Sequence, residues 1–174
     1  MTLPLVSPFT DGTFVNKGQL DQLVASINTL NNLIVTTATH ATFTNTGGQS
    51  IPDNAWTTVT GWTTAETSGM GAYSAGVQTI LTAGVYIITA SLSYRPNSPA
   101  TGQRAGRLYV NSTVVNEISA IPSTAYNVAI PFSHSEALNA GDTVSVQTLQ
   151  TQGSAQLLSV GAGQNHFAIT YTGA

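Results

Sequence analysis

From residue 38 to its C-terminus the chain consists of short runs rich in Thr, Val, Ile and Tyr. Gly, Asn, Pro or Ser breaks them roughly every 8–15 residues, a rhythm that leaves room for strands and turns and for no helix. It predicts strands near 40–45, 56–62, 77–82, 85–94, 104–111, 113–119, 126–134, 142–150, 155–160 and 165–172. The last run alternates most cleanly, with Phe167, Ile169 and Tyr171 on one face and His166, Ala168, Thr170 and Thr172 on the other. Val85-Tyr86-Ile87-Ile88 is apolar on both faces and is expected at the centre of a sheet, with Ala90, Leu92 and Tyr94 inside and Ser91 and Ser93 outside. Thr suits such strands because its branched Cβ favours extended backbone while its hydroxyl tolerates water. About ten strands without a fixed repeat point to an all-β jelly-roll sandwich over residues 38–174 rather than a propeller or β-helix.

One helix precedes this region. Asn16 is placed as N-cap, with Gln19 three residues on to complete a capping box, and Val15 and Leu20 stand at the positions of a hydrophobic staple. Leu20, Leu23, Ile27, Leu30 and Ile34 then recur at alternating steps of three and four, the a/d seam of a short coiled coil over residues 16–37. Ile at a with Leu at d leans towards two strands, and a seam this short is marginal by itself. Val24 and Leu33 broaden the apolar face, so a helix lying on its own β-domain is the alternative. Residues 1–15 show no helical period. They carry Leu3, Leu5, Phe9 and Phe14 with two prolines and an Asp11-Gly12 turn, and read as an extended arm that needs a partner surface. The expectation is a particle-attachment arm; a strand folded back on its own domain is the alternative.

Composition removes whole classes of function. Charged residues make up 6% of the chain, with four Lys and Arg against seven Asp and Glu, while Thr alone numbers 27. A net charge of −3 with so few cations offers no nucleic-acid footprint and no polybasic membrane patch. No apolar run approaches the ~20 residues of a membrane span, so no membrane insertion is expected. The first residues lack a signal-peptide pattern, which places synthesis in a cytoplasm. Zero cysteines exclude a disulfide scaffold and a thiolate site.

Several segments carry a resemblance. Thr79-Ile80-Leu81-Thr82-Ala83-Gly84-Val85-Tyr86-Ile87-Ile88 resembles the strand–Gly–Tyr–strand signature of C1q/TNF-like jelly rolls. Arg107-Leu108-Tyr109-Val110-Asn111 is similar to the strand that leads into that family's Asn-Gly hairpin, with Ser112 in place of the glycine. Ala137-Leu138-Asn139-Ala140-Gly141-Asp142-Thr143-Val144 resembles its turn into a late strand, and Phe167-Ala168-Ile169-Thr170-Tyr171 its closing strand. The resemblance implies that Gly84 makes a tight turn, that the following aromatic packs in the core, and that the chain forms a homotrimer. Separately, Pro8-Phe9-Thr10-Asp11-Gly12-Thr13 followed by Gln19-Leu20 resembles the start of many tailed-bacteriophage virion proteins, in which such a segment attaches a fibre or decoration protein to capsid or tail.

Chemistry is sparse. His40, His134 and His166 are far apart in sequence and form no metal-ligand spacing; His134 and Glu136 are placed to share one side of a strand. A single His on a three-fold axis would become three ligands, with His40 and His166 the candidates. There is no nucleophile elbow and no evident acid pair for glycoside hydrolysis, so no catalytic residue, cofactor or metal is expected. Aromatics among Asn, Ser and Arg suit sugar contact, because rings stack on C–H faces while amides bond hydroxyls. Trp62, Tyr73, Tyr94, Arg95 and Asn97 are the expected glycan or receptor contacts, against the alternative that Trp56 and Trp62 are core. The reading is a non-enzymatic virion protein, a trimeric head on a short stalk that meets host surface glycans. The alternatives are a secreted C1q/TNF-like ligand or carbohydrate-binding module, and a jelly-roll enzyme acting on glycans.

Overall fold

The computed structural model describes residues 16–45, 48–96, 100–161 and 163–173, with side chains of 32–38 outside the description. The attachment residues Leu3, Leu5, Phe9, Asp11, Gly12 and Phe14 lie outside it, as do Val15 of the staple and Asn97. The chain divides into two units, residues 1–38 and 39–174.

In the first unit, helix α1 spans Lys17–Ala38. Its start is the capping box expected from sequence: the Gln19 amide donates to Asn16 Oδ1 at 3.0 Å, and the Asn16 amide donates to Gln19 Oε1 at 3.0 Å. Lys17 and Asp21 form an exposed i,i+4 pair at 2.7 Å, worth a few tenths of a kcal/mol. Leu20, Leu23, Val24, Ile27 and Leu30 are 41–53% exposed in the single chain, a stripe of leucine-class side chains left half in water.

The second unit holds thirteen strands among the described residues. They are β1 (His40–Thr44), β2 (Ser50–Ile51), β3 (Thr57–Thr58), β4 (Thr63–Ser68), β5 (Tyr73–Ser74), β6 (Val77–Thr79) and β7 (Gly84–Tyr94), followed by β8 (Arg104–Val110), β9 (Thr113–Ala120), β10 (Val128–Leu138), β11 (Thr143–Gln150), β12 (Gln156–Leu157) and β13 (His166–Gly173). One sheet runs β10-β7-β13-β1-β4; the other contains β5-β6-β11-β8-β9, with β3 paired to β11, and β2 pairs β12 apart from both. Every pairing between strands is antiparallel. The inner faces of the two sheets share one core, including Phe43, Tyr86, Ile88, Leu92, Leu108, Val146, Phe167 and Ile169, all fully buried. Burying each such side chain contributes about 1.5–3 kcal/mol.

The strand with two apolar faces does lie centrally: β7 pairs β10 on one side and β13 on the other. Gly84 opens it at φ 154°, and a side chain there would press on the Tyr171 ring and the Gly173 carbonyl. Tyr86, two residues on, is buried edge-on against Tyr171 with centroids 5.3 Å apart, and its hydroxyl donates to the Thr82 carbonyl at 2.6 Å. The Leu138–Val144 turn locks to the β8–β9 hairpin. Asn111 Nδ2 donates to Asp142 Oδ1 at 2.7 Å, and the Thr143 amide donates to Asn111 Oδ1 at 2.9 Å. Asn111 and Ser112 both have positive φ, 48° and 69°, so the serine occupies a position that glycine adopts without cost.

Several expected strands change length. The 56–62 run yields only Thr57–Thr58, and 155–160 only Gln156–Leu157, whereas the run expected at 126–134 reaches Leu138. Strand β4, Thr-Thr-Ala-Glu-Thr-Ser, lacks any large apolar residue and is mostly exposed; pairing with β1 supplies the order that its side chains do not announce. Ser93 is buried rather than outside. Ser159 and Asn165 close over this end of β7: the Ser159 amide donates to the Ser93 carbonyl at 2.7 Å and Asn165 Oδ1 accepts the Ser93 amide at 2.8 Å.

Candidate interaction surfaces

The sequence-predicted contact residues do not gather into one site. Trp62 is 6% exposed and packs its ring 5.9 Å from that of Phe167; Tyr94 is 1% exposed. Neither can offer a face to a sugar, because sheet closure has turned both inward. Tyr73 is half-buried with its ring 4.6 Å from Phe43, and burial pushes its hydroxyl pKa up. Arg95 is exposed.

Tyr94 belongs to a buried polar network at the end of the sandwich that carries residues 100–103 and 151–155. Its hydroxyl bonds Thr148 Oγ1 at 2.7 Å, and Thr148 Oγ1 donates to the Ala105 carbonyl at 2.7 Å. Burial raises the Tyr94 pKa to about 12 against the opposing pull of that hydrogen bond and of Arg104. Arg104 is 1% exposed, with its guanidinium 5.5 Å from the Tyr94 ring centroid. It donates to the Gln103 carbonyl at 3.0 Å and to Gln152 Oε1 at 2.7 Å, so one buried cation ties both connections to the core. Desolvation lowers its pKa.

A second aromatic group stands on the outer face of the β8–β11 sheet. The Arg107 guanidinium lies 3.9 Å from the Trp56 ring centroid and 4.6 Å from that of Tyr109. Gln147 Oε1 accepts from Arg107 Nε at 3.0 Å and Nη2 at 2.8 Å. Each ring thus gives a face to the cation, a clasp that pins the segment before β3 onto the sheet.

The outer face of the β10-β7-β13-β1-β4 sheet is chemically different. Its five strands contain no Lys or Arg. Val85 and Ile87 are 38% and 43% exposed among Thr, Ser and Ala, and His40 lies 3.4 Å from Glu66. His134 and Glu136, 2.7 Å apart, share one side of β10 as their spacing suggests, but it is the opposite side, that of Phe132 and Leu138. Among the described residues no group of three or more His, Cys, Asp or Glu is placed to hold a metal ion. No helix among the described residues is long and apolar enough to cross a membrane.

The fold has solved counterparts. The Eiger TNF structure from S. frugiperda matches with TM-score 0.61 at 12% identity, covering 77% of this chain and 92% of that one. Murine APRIL at pH 5.0 matches with TM-score 0.61 at 12% identity, covering 76% and 98%. The fold is a TNF-like jelly roll. No protein-family model and no curated protein matches the sequence. At this identity the likeness speaks for the fold, as the four sequence segments had implied.

Sequence reading missed the most exposed large apolar side chains of the head, Ile121 at 88% and Tyr126 at 77%. Both lie on the β9–β10 connection: the sequence pattern puts Tyr126 at the start of the expected 126–134 strand, whereas β10 begins at Val128. A lone Tyr in a loop carries no periodicity, so only its contrast with its neighbours could have marked it.

Proposed function

We propose that this chain is a non-enzymatic structural protein of a bacteriophage particle, a homotrimeric fibre or decoration protein on capsid or tail. It is made in the host cytoplasm and displayed on the virion surface. The observation that carries the self-association is the helix stripe: Leu20, Leu23, Ile27 and Leu30 repeat at seam spacing and are 41–53% exposed in the single chain. The outer face of the β10-β7-β13-β1-β4 sheet, without Lys or Arg and with Val85 and Ile87 exposed, offers a second surface that a copy can cover without desolvating a cation. The similarity of residues 8–13 to virion attachment segments supports docking of the arm on the particle. The sandwich then projects its loops outward, and three copies multiply weak contacts.

Labelled electron microscopy of particles tests the location: label at capsid or tail is expected, and label-free particles count against the reading. Deleting residues 2–15 is expected to leave a folded trimer that no longer joins particles. The TNF-like fold favours a second reading, a secreted C1q/TNF-like ligand, which predicts free protein in the medium and none on particles.

A further inference from the structure

In the described residues, nearly every Trp and Tyr ring is already engaged. Tyr73 meets Phe43, Trp62 meets Phe167, Tyr86 meets Tyr171, Tyr94 meets Arg104, and Trp56 and Tyr109 share Arg107. Tyr126 alone has no ring or cation partner among the described residues, and it is 77% exposed. Its loop is nevertheless built to hold it. Ser123 Oγ accepts the amides of Ala125 and Tyr126, each at 3.1 Å, and Pro122 beside it is buried. Asn127 Nδ2 donates to Gln164 Oε1 at 2.8 Å, and that same oxygen accepts from buried Ser93 Oγ at 3.2 Å. The connection is therefore tied to the core end of β7. Asn127 Oδ1 and Gln164 Nε2 have no hydrogen-bond partner among the described residues, which leaves an acceptor and a donor on the residue after Tyr126 and on the one it bonds.

Residues 118–133 and 143–165 contain no Asp, Glu, Lys or Arg. The nearest charge along the paired strands is Arg95, one residue past Tyr94, which pairs with Val128. We propose that Tyr126 is the stacking platform of a binding site for neutral glycans, with the Asn127–Gln164 amide pair bonding sugar hydroxyls and Ile121 flanking the ring. An exposed aromatic ring on a loop whose backbone is held, with an amide donor and acceptor on the same connection, matches a sugar, which presents an apolar C–H face and hydroxyls together. Those two segments carry no charge, so Arg95 is the cation left for a phosphate or an acidic peptide to pair with. A loop backbone held before binding costs less to order when the site is occupied, which suits weak contacts repeated in an assembly. This inference rests on the reading of the head as the outward-facing part of the chain.

The test applies the full chain to an array of neutral hexose and N-acetylhexosamine oligosaccharides, with sialylated and sulfated glycans as separate arms. Wild type is expected to bind a neutral subset. Tyr126→Ala should weaken that binding about tenfold, the loss of one ring stack, while Tyr126→Phe should retain it. Sedimentation of both variants checks that assembly is unchanged, so a failure of self-association is seen apart from a failure of glycan binding. Absence of binding in every neutral arm overturns the proposal, as does neutral binding unaffected by Tyr126→Ala. Binding only to acidic glycans, lost with Arg95→Ala and not with Tyr126→Ala, overturns it too. So does a change of oligomeric state in Tyr126→Ala, which would assign the ring to a protein contact.

Discussion

Raising the pH from neutral to strongly alkaline should weaken the head through Tyr94, and the structure sets the size of the effect. The hydroxyl sits in a core position, 1% exposed, bonded to Thr148 Oγ1 at 2.7 Å. Its pKa stands at about 12 in the folded state against 10.0 for the free side chain. A raised folded pKa favours the neutral form, so the contribution is complete below pH ~10 and is lost as pH climbs through ~12. Two units correspond to about 2–3 kcal/mol. Burial also raises Tyr73 and Tyr86, which adds to the slope in the same direction. Urea unfolding midpoints from pH 8 to 12, with tyrosinate absorbance read alongside, measure it. Tyr94→Phe should show a visibly flatter alkaline limb, and at neutral pH it should be about 1 kcal/mol less stable because the buried Thr148 hydroxyl keeps its bond to the Ala105 carbonyl but loses the one to Tyr94. An alkaline limb identical in Tyr94→Phe and wild type would refute the reasoning.

Other perturbations follow from the turns and the stripe. Gly84→Ala drives a methyl towards the Tyr171 ring and should cost about 1–3 kcal/mol in denaturant unfolding. Ser112→Gly relieves a positive φ of 69° and should raise stability by about 0.5–1 kcal/mol, read as a higher urea midpoint. The Asp142 carboxyl is held below the ordinary range by the Asn139 amide and by Asn111, so its contribution is present above the unfolded pKa and fades as pH falls through the folded one. Asp142→Asn should flatten that acid limb in the same unfolding assay. Leu23→Asp combined with Ile27→Asp should lower the sedimentation mass, since each places a carboxylate in the seam.

The sequence and the structure agree where side-chain period and burial coincide. Helix α1 was legible because Asn16 and Gln19 satisfy each other's backbone amides locally, with no help from the rest of the chain. Strand β7 was legible because Val85 and Ile87 repeat the apolar character of Tyr86 and Ile88 on the opposite face. Strand β4 was not, because Thr-Thr-Ala-Glu-Thr-Ser gains its order from backbone pairing to β1. Ser93 followed a non-local rule: Asn165, distant in sequence, supplies the acceptor that lets a serine amide be buried. Trp62 and Tyr94 failed as surface residues for a related reason, since composition cannot say which face of a loop-flanked aromatic the second sheet will cover. Tyr126 escaped notice because its significance is comparative: the other Tyr and Trp rings have partners and it does not.

The low charge fits an exposed assembly. A surface of Thr, Ser, Asn and Gln loses little when salt screens ion pairs, and a chain without cysteine must draw stability from its core and its interfaces. Self-association is therefore the centre of the account, and sedimentation equilibrium of the full chain tests it most directly. The account predicts three times the 18.0-kDa chain mass, stable to dilution. A species of single-chain mass at the concentrations of the experiment would contradict it.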